Sequence, residues 1–398
     1  MVYRPTRGDA PPRFGEQFVD PPRRGAPVDA DLYRDPIRYE QERVTALRTS
    51  WILGAHAAEI ANPGDWVLHE GHGETVVIAR QADGSVAAFH NVCQHRGARL
   101  TRGESSGCDR RLVCPWHGWV YDTTGKVVGI PERENFATEL VDGLRAPAVA
   151  AQEWGGFVWI NLAGPEAAPD LLDWIGADVV ADLGRFALEK MVVHAKVVYD
   201  IPANYKAIVD GFNEVYHATE LHHTSKEFTV ASRSTTYHLT GPHSMMFVPR
   251  PEHLDKIAAG TIDQQQHTIC HYVLFPNTVF NNNPRHIQIF QPIPLSVDLT
   301  RFVLWELIYP QDEGESDAAY ADYFDKTMAH WQALQGVIEE DVFIFNELSA
   351  TRHSMGYEKN IFGDNECKPV AYHATMDHVV NGGSAMDRWN DYPGLVRK

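Results

Sequence analysis

Hydrophobic and polar positions alternate over short stretches in the first half of the chain. From Trp51 to about residue 164, apolar runs are separated by turn signals that contain Gly, Asp or Pro, as is typical of an antiparallel β domain. The dipeptides Asp83-Gly84 and Thr124-Gly125 predict hairpin turns. The predicted strands lie in DWVLHEGHG (65–73), TVVIARQADGSVAAFHNV (75–92), RLVCPWHGWVYDTTGKVVGIP (111–131) and EWGGFVWINLAG (153–164).

The second half of the chain mixes strand and helix periodicities. A strand pattern at 191–201 leads into helical spacing of apolar residues at 204–221, and a second helical stretch covers about 317–350. Residues 354–398 are rich in Gly, Asp and Asn and predict irregular structure. Further strands are predicted at 270–282, 285–293 and 300–310.

The N-terminal region has a different composition from the rest. Residues 1 to about 30 are rich in Pro, Arg and Asp, which predicts a mobile arm or an extended strap. A helix is expected after Pro36, with Ile37, Val44 and Leu47 as its apolar stripe.

These patterns predict an α+β protein. We expect a small antiparallel β domain, followed by a larger domain that mixes strands and helices. The Pro- and Gly-containing stretch 164–170 is the expected boundary. The predicted divisions are an N-terminal arm and helix packing on the larger domain (1–48), the β domain (49–165) and the larger domain (166–398).

Composition excludes several classes of function. Thirty-five basic and fifty-three acidic residues give a net charge of −18, which argues against a nucleic-acid or anionic-membrane partner. No run approaches 18 apolar residues and the N-terminus has no apolar signal segment. Five cysteines are too few for a disulfide framework. We therefore expect a cytoplasmic protein.

Two short motifs carry the clearest metal-binding pattern. Cys93-Gln-His95 is followed, after 18 residues, by Cys114-Pro-Trp-His117. Thiolates suit zinc or iron–sulfur sites, and imidazoles add neutral ligands. Structural zinc sites usually place two like ligands on each arm. Each arm here has one Cys and one His, which suits a [2Fe–2S] cluster with Cys on one iron and His on the other.

The sequences that flank these motifs, HRGARL (95–100) and CPWHGWVYD (114–122), resemble the Rieske iron–sulfur domain. The resemblance implies a Rieske [2Fe–2S] cluster held by the two Cys and two His. A Cys2His2 zinc site is the alternative, and Cys108 is expected to be a bystander thiol.

A second candidate site lies in the predicted helix at 204–221. His217 and His222 are five residues apart, so on an ideal helix their directions diverge by roughly 140°. They would converge on one metal only if a π-bulge or a break distorted the helix. Without that distortion they are ordinary polar positions.

The pattern Asn204-Tyr-Lys followed by DGFNEVYH-x4-H (210–222) resembles the mononuclear iron motif of Rieske non-haem iron ring-hydroxylating oxygenase α subunits. The resemblance implies an iron bound by two histidines and one carboxylate, which leaves one face of the metal open. His217 and His222 are the expected ligands, with adjacent His223 as the alternative to His222. Together the motifs cover most of the chain from Trp51 to about residue 354. The resemblance implies that the β domain is a Rieske domain and that residues 166–398 are a catalytic domain in which helices grip one face of an antiparallel sheet.

The family takes its carboxylate from a C-terminal helix, where an acidic pair precedes apolar helical spacing. The segment VIEEDVFIFNEL (337–348) matches through Glu340-Asp341, so Asp341 is the expected ligand. Glu339, Glu340 and Glu347 are competing carboxylates that would otherwise form a solvated helix face.

The resemblance also implies a role for Glu214, three residues before His217. The family usually has an acid here that bonds the iron-binding His and reaches the Rieske centre of a neighbouring subunit. His117 of one chain would then bond Glu214 of the next, and a closed head-to-tail ring commonly gives a trimer. Asp210, Asn204 and Tyr216 are candidates for groups that orient the ligands.

The chain has no GxGxxG nucleotide-binding pattern and no plant-type ferredoxin cysteine run. Electrons must therefore come from a separate NAD(P)H reductase, with or without a ferredoxin. We expect a terminal oxygenase that hydroxylates, most often cis-dihydroxylates, an aromatic substrate in catabolism. N- or O-dealkylation of a small substrate is the alternative, and an electron carrier or a zinc-stabilised binding module are remoter ones. A chain near 400 residues favours a homotrimer of α subunits, although a small β subunit is compatible.

No Arg or Lys is clearly positioned by the sequence to hold a carboxylate, so a neutral, largely apolar substrate is expected. The candidate pocket walls are Val209, Phe212, Phe275, Asn277, Phe280, Ile287, Phe290, Trp305 and Phe345.

Overall fold

The computed structural model describes residues 27–223, 230, 235–261, 268–283 and 286–387. Most of the predicted N-terminal arm lies outside these residues. Within them, no helix is both long enough and apolar enough to cross a membrane. The chain divides into two compact units, Leu47–Trp174 and a larger one formed by Met1–Ala46 with Ile175–Lys398. The domain bounds expected from the sequence remain predictions.

The described N-terminal segment joins the larger unit through buried charges. Strand β1 (Val28–Asp29) and helix α1 (Pro36–Val44) precede a short helix, α2 (Ala46–Thr49). Glu42 of α1 is fully buried and its Oε2 lies 2.6 Å from Lys206 Nζ, while Arg38 pairs with Glu42 at 2.9 Å.

The predicted apolar stripe of this helix is wrong. Ile37 and Val44 are 69% and 43% exposed, and Leu47 alone of the three is buried. The buried side of α1 is held instead by Glu42, whose charge is matched by Lys206 and Arg38. Apolar spacing cannot report a helix face that is stabilised by ion pairs.

The smaller unit, Leu47–Trp174, is an antiparallel β structure. A seven-stranded sheet has the order β2-β11-β10-β5-β4-β3-β6, and a three-stranded sheet has the order β7-β8-β9. The predicted turns at Asp83-Gly84 and Thr124-Gly125 are confirmed, since they connect β4 to β5 and β8 to β9. The strands are β2 (Ile52–His56), β3 (Asp65–Gly71), β4 (Glu74–Arg80), β5 (Val86–His90), β6 (Ser106–Cys108), β7 (Arg111–Val113), β8 (Val120–Asp122), β9 (Val127–Gly129), β10 (Ala148–Trp154) and β11 (Phe157–Asn161), and helix α3 is Thr138–Val141.

The larger unit is built on one antiparallel sheet with the order β12-β18-β17-β16-β15-β14-β13. Its central strands are buried along their length, so both faces of the sheet are covered. The strands are β12 (Val192–Ile201), β13 (Thr236–Thr240), β14 (His243–Pro249), β15 (Thr268–Leu274), β16 (Thr278–Asn282), β17 (His286–Ser296) and β18 (Leu299–Ile308); β19 (Lys359–Asn360) pairs with β1.

Helices cover this sheet and carry the candidate site. Helix α6 packs on β17, and the long helix α9 packs on β12 and on α6. The expected α+β architecture with helices on an antiparallel sheet is confirmed. The helices are α4 (Leu171–Ile175), α5 (Ala177–Gly184), α6 (Tyr205–Phe212), α7 (Ala218–Leu221), α8 (Leu254–Ala258), α9 (Asp317–Thr351) and α10 (Cys367–Val380).

Two expectations for the larger unit are wrong. The predicted helix at 204–221 is two helices, because the chain leaves α6 after Phe212 and resumes helical geometry at Ala218. Residues 354–398 are not irregular throughout, since α10 runs from Cys367 to Val380 with buried residues on several sides. A helix that is buried all round has no amphipathic stripe to detect.

Candidate metal centres

The two Cys–His motifs form a pair of matching loops in the smaller unit. Cys93 N donates to Ala98 O at 2.8 Å and Cys114 N donates to Trp119 O at 2.8 Å. The carbonyl of each Cys accepts from a glycine four residues later, Gly97 or Gly118. Both glycines have positive φ, 77° and 71°, a conformation that other residues rarely adopt. The repeated turn places each Cys and its His alike.

The loops bring two thiols and two imidazoles together. Cys93 and Cys114 are buried free thiols, and the rings of His95 and His117 lie 4.5 Å apart. Tyr121 OH donates to Cys93 Sγ at 3.3 Å. Cys108 is exposed in β6, away from the two loop turns.

This donor set fits a Rieske cluster. Among the described residues, the buried Nδ1 of His95 has no hydrogen-bond partner, which leaves it free to bind a metal. Burial raises the pKa of the Cys93 thiol more than the Tyr121 hydroxyl lowers it, and a bound cation would favour the thiolate. The assignment of these four residues as ligands remains a prediction.

The break after α6 resolves the geometry of the second site. His217 precedes α7 and His222 follows it, so both histidines lie at helix ends rather than on one continuous helix. Their ring centroids are 5.2 Å apart. His223 is exposed, and its Nδ1 bonds the carbonyl of Glu220 at 2.7 Å.

Helix α9 brings Asp341 to the same two histidines. Asp341 Oδ1 lies 3.3 Å from His222 Nε2 and 3.7 Å from His217 Nε2. One ligand atom from each of the three residues lies within 4.8 Å of the others, and His222 and Asp341 are buried. Two imidazoles and one carboxylate form the donor set that mononuclear iron oxygenases use. The arrangement fits this metal, and the ligand assignment remains a prediction.

Two further carboxylates bond the histidines. Glu214 bonds His217 Nδ1, and Glu340 Oε2 lies 2.7 Å from His222 Nδ1. Such carboxylate–histidine contacts fix the orientation of metal-binding imidazoles. The side chain of Glu340 is 34% exposed, so it is partly solvated as expected, but its contact with His222 was not expected. Glu339 and Glu347 are exposed. The sequence marked Glu340 only as a competitor of Asp341 for the metal and not as a partner of His222.

The other predicted site residues are held in different ways. Asp210 accepts from Tyr33 OH at 2.5 Å and lies 2.9 Å from His373 Nε2, in a buried network. Asn204 caps α6, accepting from Lys206 N at 3.1 Å. Tyr216 is 63% exposed. Their roles in orienting the ligands remain predictions.

Two cavities lie beside His217, His222 and Asp341. The outer cavity, about 350 Å³, is lined by Asp210, Glu214, Glu366 and apolar side chains including Phe345. The inner cavity, about 40 Å³, lies between these three residues and the sheet and is lined by Phe212, Phe290 and polar side chains. The two cavities adjoin, because His217 and Asp341 line both. The remaining predicted pocket walls, Val209, Phe275, Asn277, Phe280, Ile287 and Trp305, line neither of these cavities.

Comparison with known families matches both units. Residues 50–145 match the family described as Rieske [2Fe-2S] domain. Residues 188–382 match the family described as ring hydroxylating alpha subunit (catalytic domain). The four Cys and His of the loops fall in the first match, and His217, His222 and Asp341 fall in the second.

Curated relatives include two types of oxygenase. The carnitine monooxygenase oxygenase subunit of Escherichia coli K12 is 33% identical over 208 residues, 52% of this chain and 55% of that protein. The benzene 1,2-dioxygenase subunit alpha of Pseudomonas putida F1 is 32% identical over 205 residues, 50% of this chain and 44% of that protein. The match thus spans about half the length of each relative.

Solved structures show the same fold. The quaternary ammonium Rieske monooxygenase CntA in complex with L-carnitine has a TM-score of 0.71 at 21% identity, covering 92% of this chain and 99% of that one. Naphthalene 1,2-dioxygenase from Rhodococcus sp. bound to indole has a TM-score of 0.69 at 18% identity, covering 90% and 95%. At these identities the likeness establishes the fold alone.

The two domain matches define the cofactors. The Rieske domain carries a [2Fe–2S] cluster, and the catalytic domain binds mononuclear iron. With a site of suitable donors in each unit and relatives of both reaction types, this chain belongs to the Rieske non-haem iron ring-hydroxylating oxygenases, as an α (catalytic) subunit.

Proposed function

We propose that the protein is a terminal oxygenase component that inserts oxygen from dioxygen into a small organic substrate bound in the inner cavity and the outer cavity that adjoins it. The observation that carries the proposal is the cluster of His217, His222 and Asp341 on the wall of a partly apolar cavity. These three residues are the proposed ligands of the mononuclear iron. The proposed ligands of the [2Fe–2S] cluster are Cys93, His95, Cys114 and His117. When bound, the iron supplies dioxygen activation and the cluster supplies single electrons.

The residues around the ligands hold them in place. Glu214 and Glu340 accept from the two histidines and so fix which ring nitrogen faces the metal. Asp341 is buried beside both rings and would complete the ligand set. All three residues line the inner cavity, where Phe212 and Phe290 would exclude water from a bound substrate.

We further propose that Glu214 connects the two kinds of centre between copies of the chain. Glu214 bonds His217 and lines the outer cavity, and its side chain is 10% exposed, which is the part that a second copy would have to reach. A hydrogen bond from His117 of a second copy to Glu214 would link the centres. Repeated head to tail, this contact closes a ring, for which we propose a homotrimer that admits a small β subunit. A solved quaternary ammonium Rieske monooxygenase is described as giving insights into inter-subunit electron transfer in that protein, which supports the proposal.

Two reactions remain candidates. In cis-dihydroxylation of an aromatic ring, both oxygen atoms enter the product and two electrons and two protons are consumed. In N- or O-dealkylation, one atom hydroxylates the alkyl carbon, which leaves as an aldehyde, and the other becomes water for the same electrons and protons. The benzene dioxygenase relative favours the first reaction and the carnitine monooxygenase relative the second.

The electrons are proposed to come from a separate NAD(P)H reductase, directly or through a ferredoxin. The net charge of −18 favours a basic docking surface on that partner. The free cysteines among the described residues favour a reducing compartment, for which we propose the cytoplasm.

An oxygen-18 screen tests the function. The loaded protein, a surrogate reductase and labelled dioxygen are incubated with aromatic, heteroaromatic and N- or O-alkyl compounds, and products are examined by mass spectrometry. Two labelled atoms in one product identify dihydroxylation, and one labelled atom or a dealkylated product identifies monooxygenation. Electron consumption without label in any product would reject the oxygenase proposal.

A further inference from the structure

The sheet wall of the inner cavity carries a row of three polar side chains. His271 of β15 is directly opposite Asn281 of β16, and Asn281 is directly opposite Gln288 of β17. All three are buried and all three line the inner cavity. The side chains around them, such as Ile269 and Phe290, are apolar.

The two amides of this row satisfy each other only in part. Asn281 Nδ2 donates to Gln288 Oε1 at 3.0 Å. Among the described residues, Asn281 Oδ1 and Gln288 Nε2 have no hydrogen-bond partner. Exchanging O and N in both amides gives the same result, because one acceptor and one donor are still left over. Each such buried group costs about 1–3 kcal/mol when it stays unpaired.

The row is uncharged. Burial and the nearby Lys368 hold the pKa of His271 well below its usual value, so its ring is neutral near pH 7. The carboxylates that line the cavity, Glu214 and Asp341, lie beside the two histidines of the cluster. Lys368 does not line this cavity, so the row itself offers an anionic substrate group hydrogen bonds but no charged partner.

We infer that the substrate is a neutral molecule with an adjacent hydrogen-bond donor and acceptor, as in a lactam or secondary amide, which pairs with Asn281 and Gln288. A carbonyl oxygen accepts from one amide and an N–H donates to the other, so the leftover groups of the protein are satisfied on binding. The rest of the molecule extends toward the outer cavity, with its oxidisable carbon beside His217 and Asp341, which line both cavities. The inference rests on the proposed function in taking the inner cavity and the adjoining outer cavity as the substrate site.

Equilibrium dialysis of the metal-loaded protein without reductase tests this pairing. The probes are 2-pyridone, which has adjacent N–H and C=O groups, benzene, benzoate and choline. We expect 2-pyridone to bind about tenfold tighter than benzene, since each good hydrogen bond adds about 1.4 kcal/mol. Asn281→Leu and Gln288→Leu should each weaken 2-pyridone about tenfold and leave benzene within about twofold.

Two variants keep the test decisive. Gln288→Glu retains the size of the side chain and the acceptor for Asn281 but removes the Nε2 donor. It should also weaken the binding of 2-pyridone, and it replaces the Leu variants in the test if they do not fold. Ile269→Val, on the wall of the same cavity, is the control and should shift 2-pyridone and benzene alike. Circular dichroism and the cluster absorption report folding.

The inference is overturned if 2-pyridone does not bind, if benzene, benzoate or choline binds as tightly, or if the variants weaken every probe equally. Because dialysis needs no electrons, its result is separate from the oxygen-18 screen. Selective binding without labelled product would reject the proposed function alone. Labelled product without selective binding would reject this inference alone.

Discussion

The two candidate metal centres differ in how the chain assembles them. One candidate centre takes its two Cys and two His from two consecutive loops between Cys93 and His117. The two loops share the same turn and the same glycine position. The mononuclear centre collects His217 and His222 from the ends of one short helix and Asp341 from a helix more than a hundred residues later. The first is built from local turns, whereas the second depends on packing of α9 on α6.

The two centres also differ in the polarity of the protein around them. The loops of the cluster lie over an apolar core that includes Trp119 and Tyr121. The larger unit contains buried charges, among them the Lys206–Glu42 pair and Lys368. Because the candidate ligands of the two centres lie in different compact units, we expect that changing the ligands of one centre leaves the other occupied.

The largest expected effect comes from Asp341→Ala. Removal of the buried carboxylate should empty the mononuclear site and abolish substrate oxidation, while sulfide content and the cluster absorption stay unchanged. Iron and sulfide analysis with the oxygen-18 assay measures this. Glu347→Ala, an exposed acid on the same helix, is the matched control and should retain both metals. Full iron content in Asp341→Ala would reject this residue as a ligand.

The reciprocal change is Cys93→Ala. Loss of one of the buried thiols should remove the [2Fe–2S] cluster, and with it acid-labile sulfide and activity, while mononuclear iron is retained. Cys108→Ala changes an exposed thiol and should alter nothing. Loss of mononuclear iron from a folded Cys93→Ala protein would contradict the separation of the two centres.

Glu214→Gln tests the proposed connection between them. The amide can still bond His217 but carries no charge, so at saturating iron both metal contents should stay normal while the rate of product formation falls roughly 10–100-fold. Glu220→Gln, an exposed acid on α7, serves as the control. An unchanged rate would exclude Glu214 as the bridge.

Glu340→Gln should change the affinity for mononuclear iron rather than electron transfer between the two centres. The carboxylate orients His222, so its loss should weaken binding of mononuclear iron roughly tenfold, as measured by competition with a chelator. Glu339→Gln changes the exposed neighbour and should bind iron normally. Equal affinities in the two variants would show that Glu340 does not orient His222.

The smallest effect concerns stability. Burial lowers the pKa of Lys368 to about 7, whereas an unfolded lysine titrates near 10.4. Between about pH 7 and pH 10 the unfolded chain therefore binds more protons, and this group makes stability rise with pH. Lys368→Met should raise the free energy of unfolding by roughly 2–4 kcal/mol at pH 7 and flatten that rise.

Denaturant titration at pH 7 and pH 9.5 measures this change. Lys326→Met, on the exposed side of α9, is the control and should leave the pH dependence unaltered. A Lys368→Met protein that is less stable at pH 7 would mean that the buried ammonium is stabilised by its surroundings.

The sequence predicts the local centre more completely than the dispersed one. The turns that begin at Cys93 and Cys114 depend on residues close together in sequence, so the sequence predicts them. The hairpins at Gly84 and Gly125 follow from the conformational preferences of their turn residues. The need for a distortion near His217 was predictable from helical geometry, but its position after Phe212 was not.

The remaining differences come from tertiary contacts. Glu340 bonds His222 only because α9 packs beside α6, and the neighbouring residues in sequence do not report this. Glu42 is buried because Lys206, far away in sequence, matches its charge. The row of His271, Asn281 and Gln288 depends on the register of three strands, which alternation of apolar residues does not define.

Counting metal in the wild-type protein and in Asp341→Ala tests the central claim most directly. Two separate iron centres predict three irons and two acid-labile sulfides per wild-type chain, and two irons and two sulfides in the variant with the cluster absorption unchanged. Two irons and two sulfides in a fully loaded wild-type chain, or a zinc-containing protein without sulfide, would contradict it.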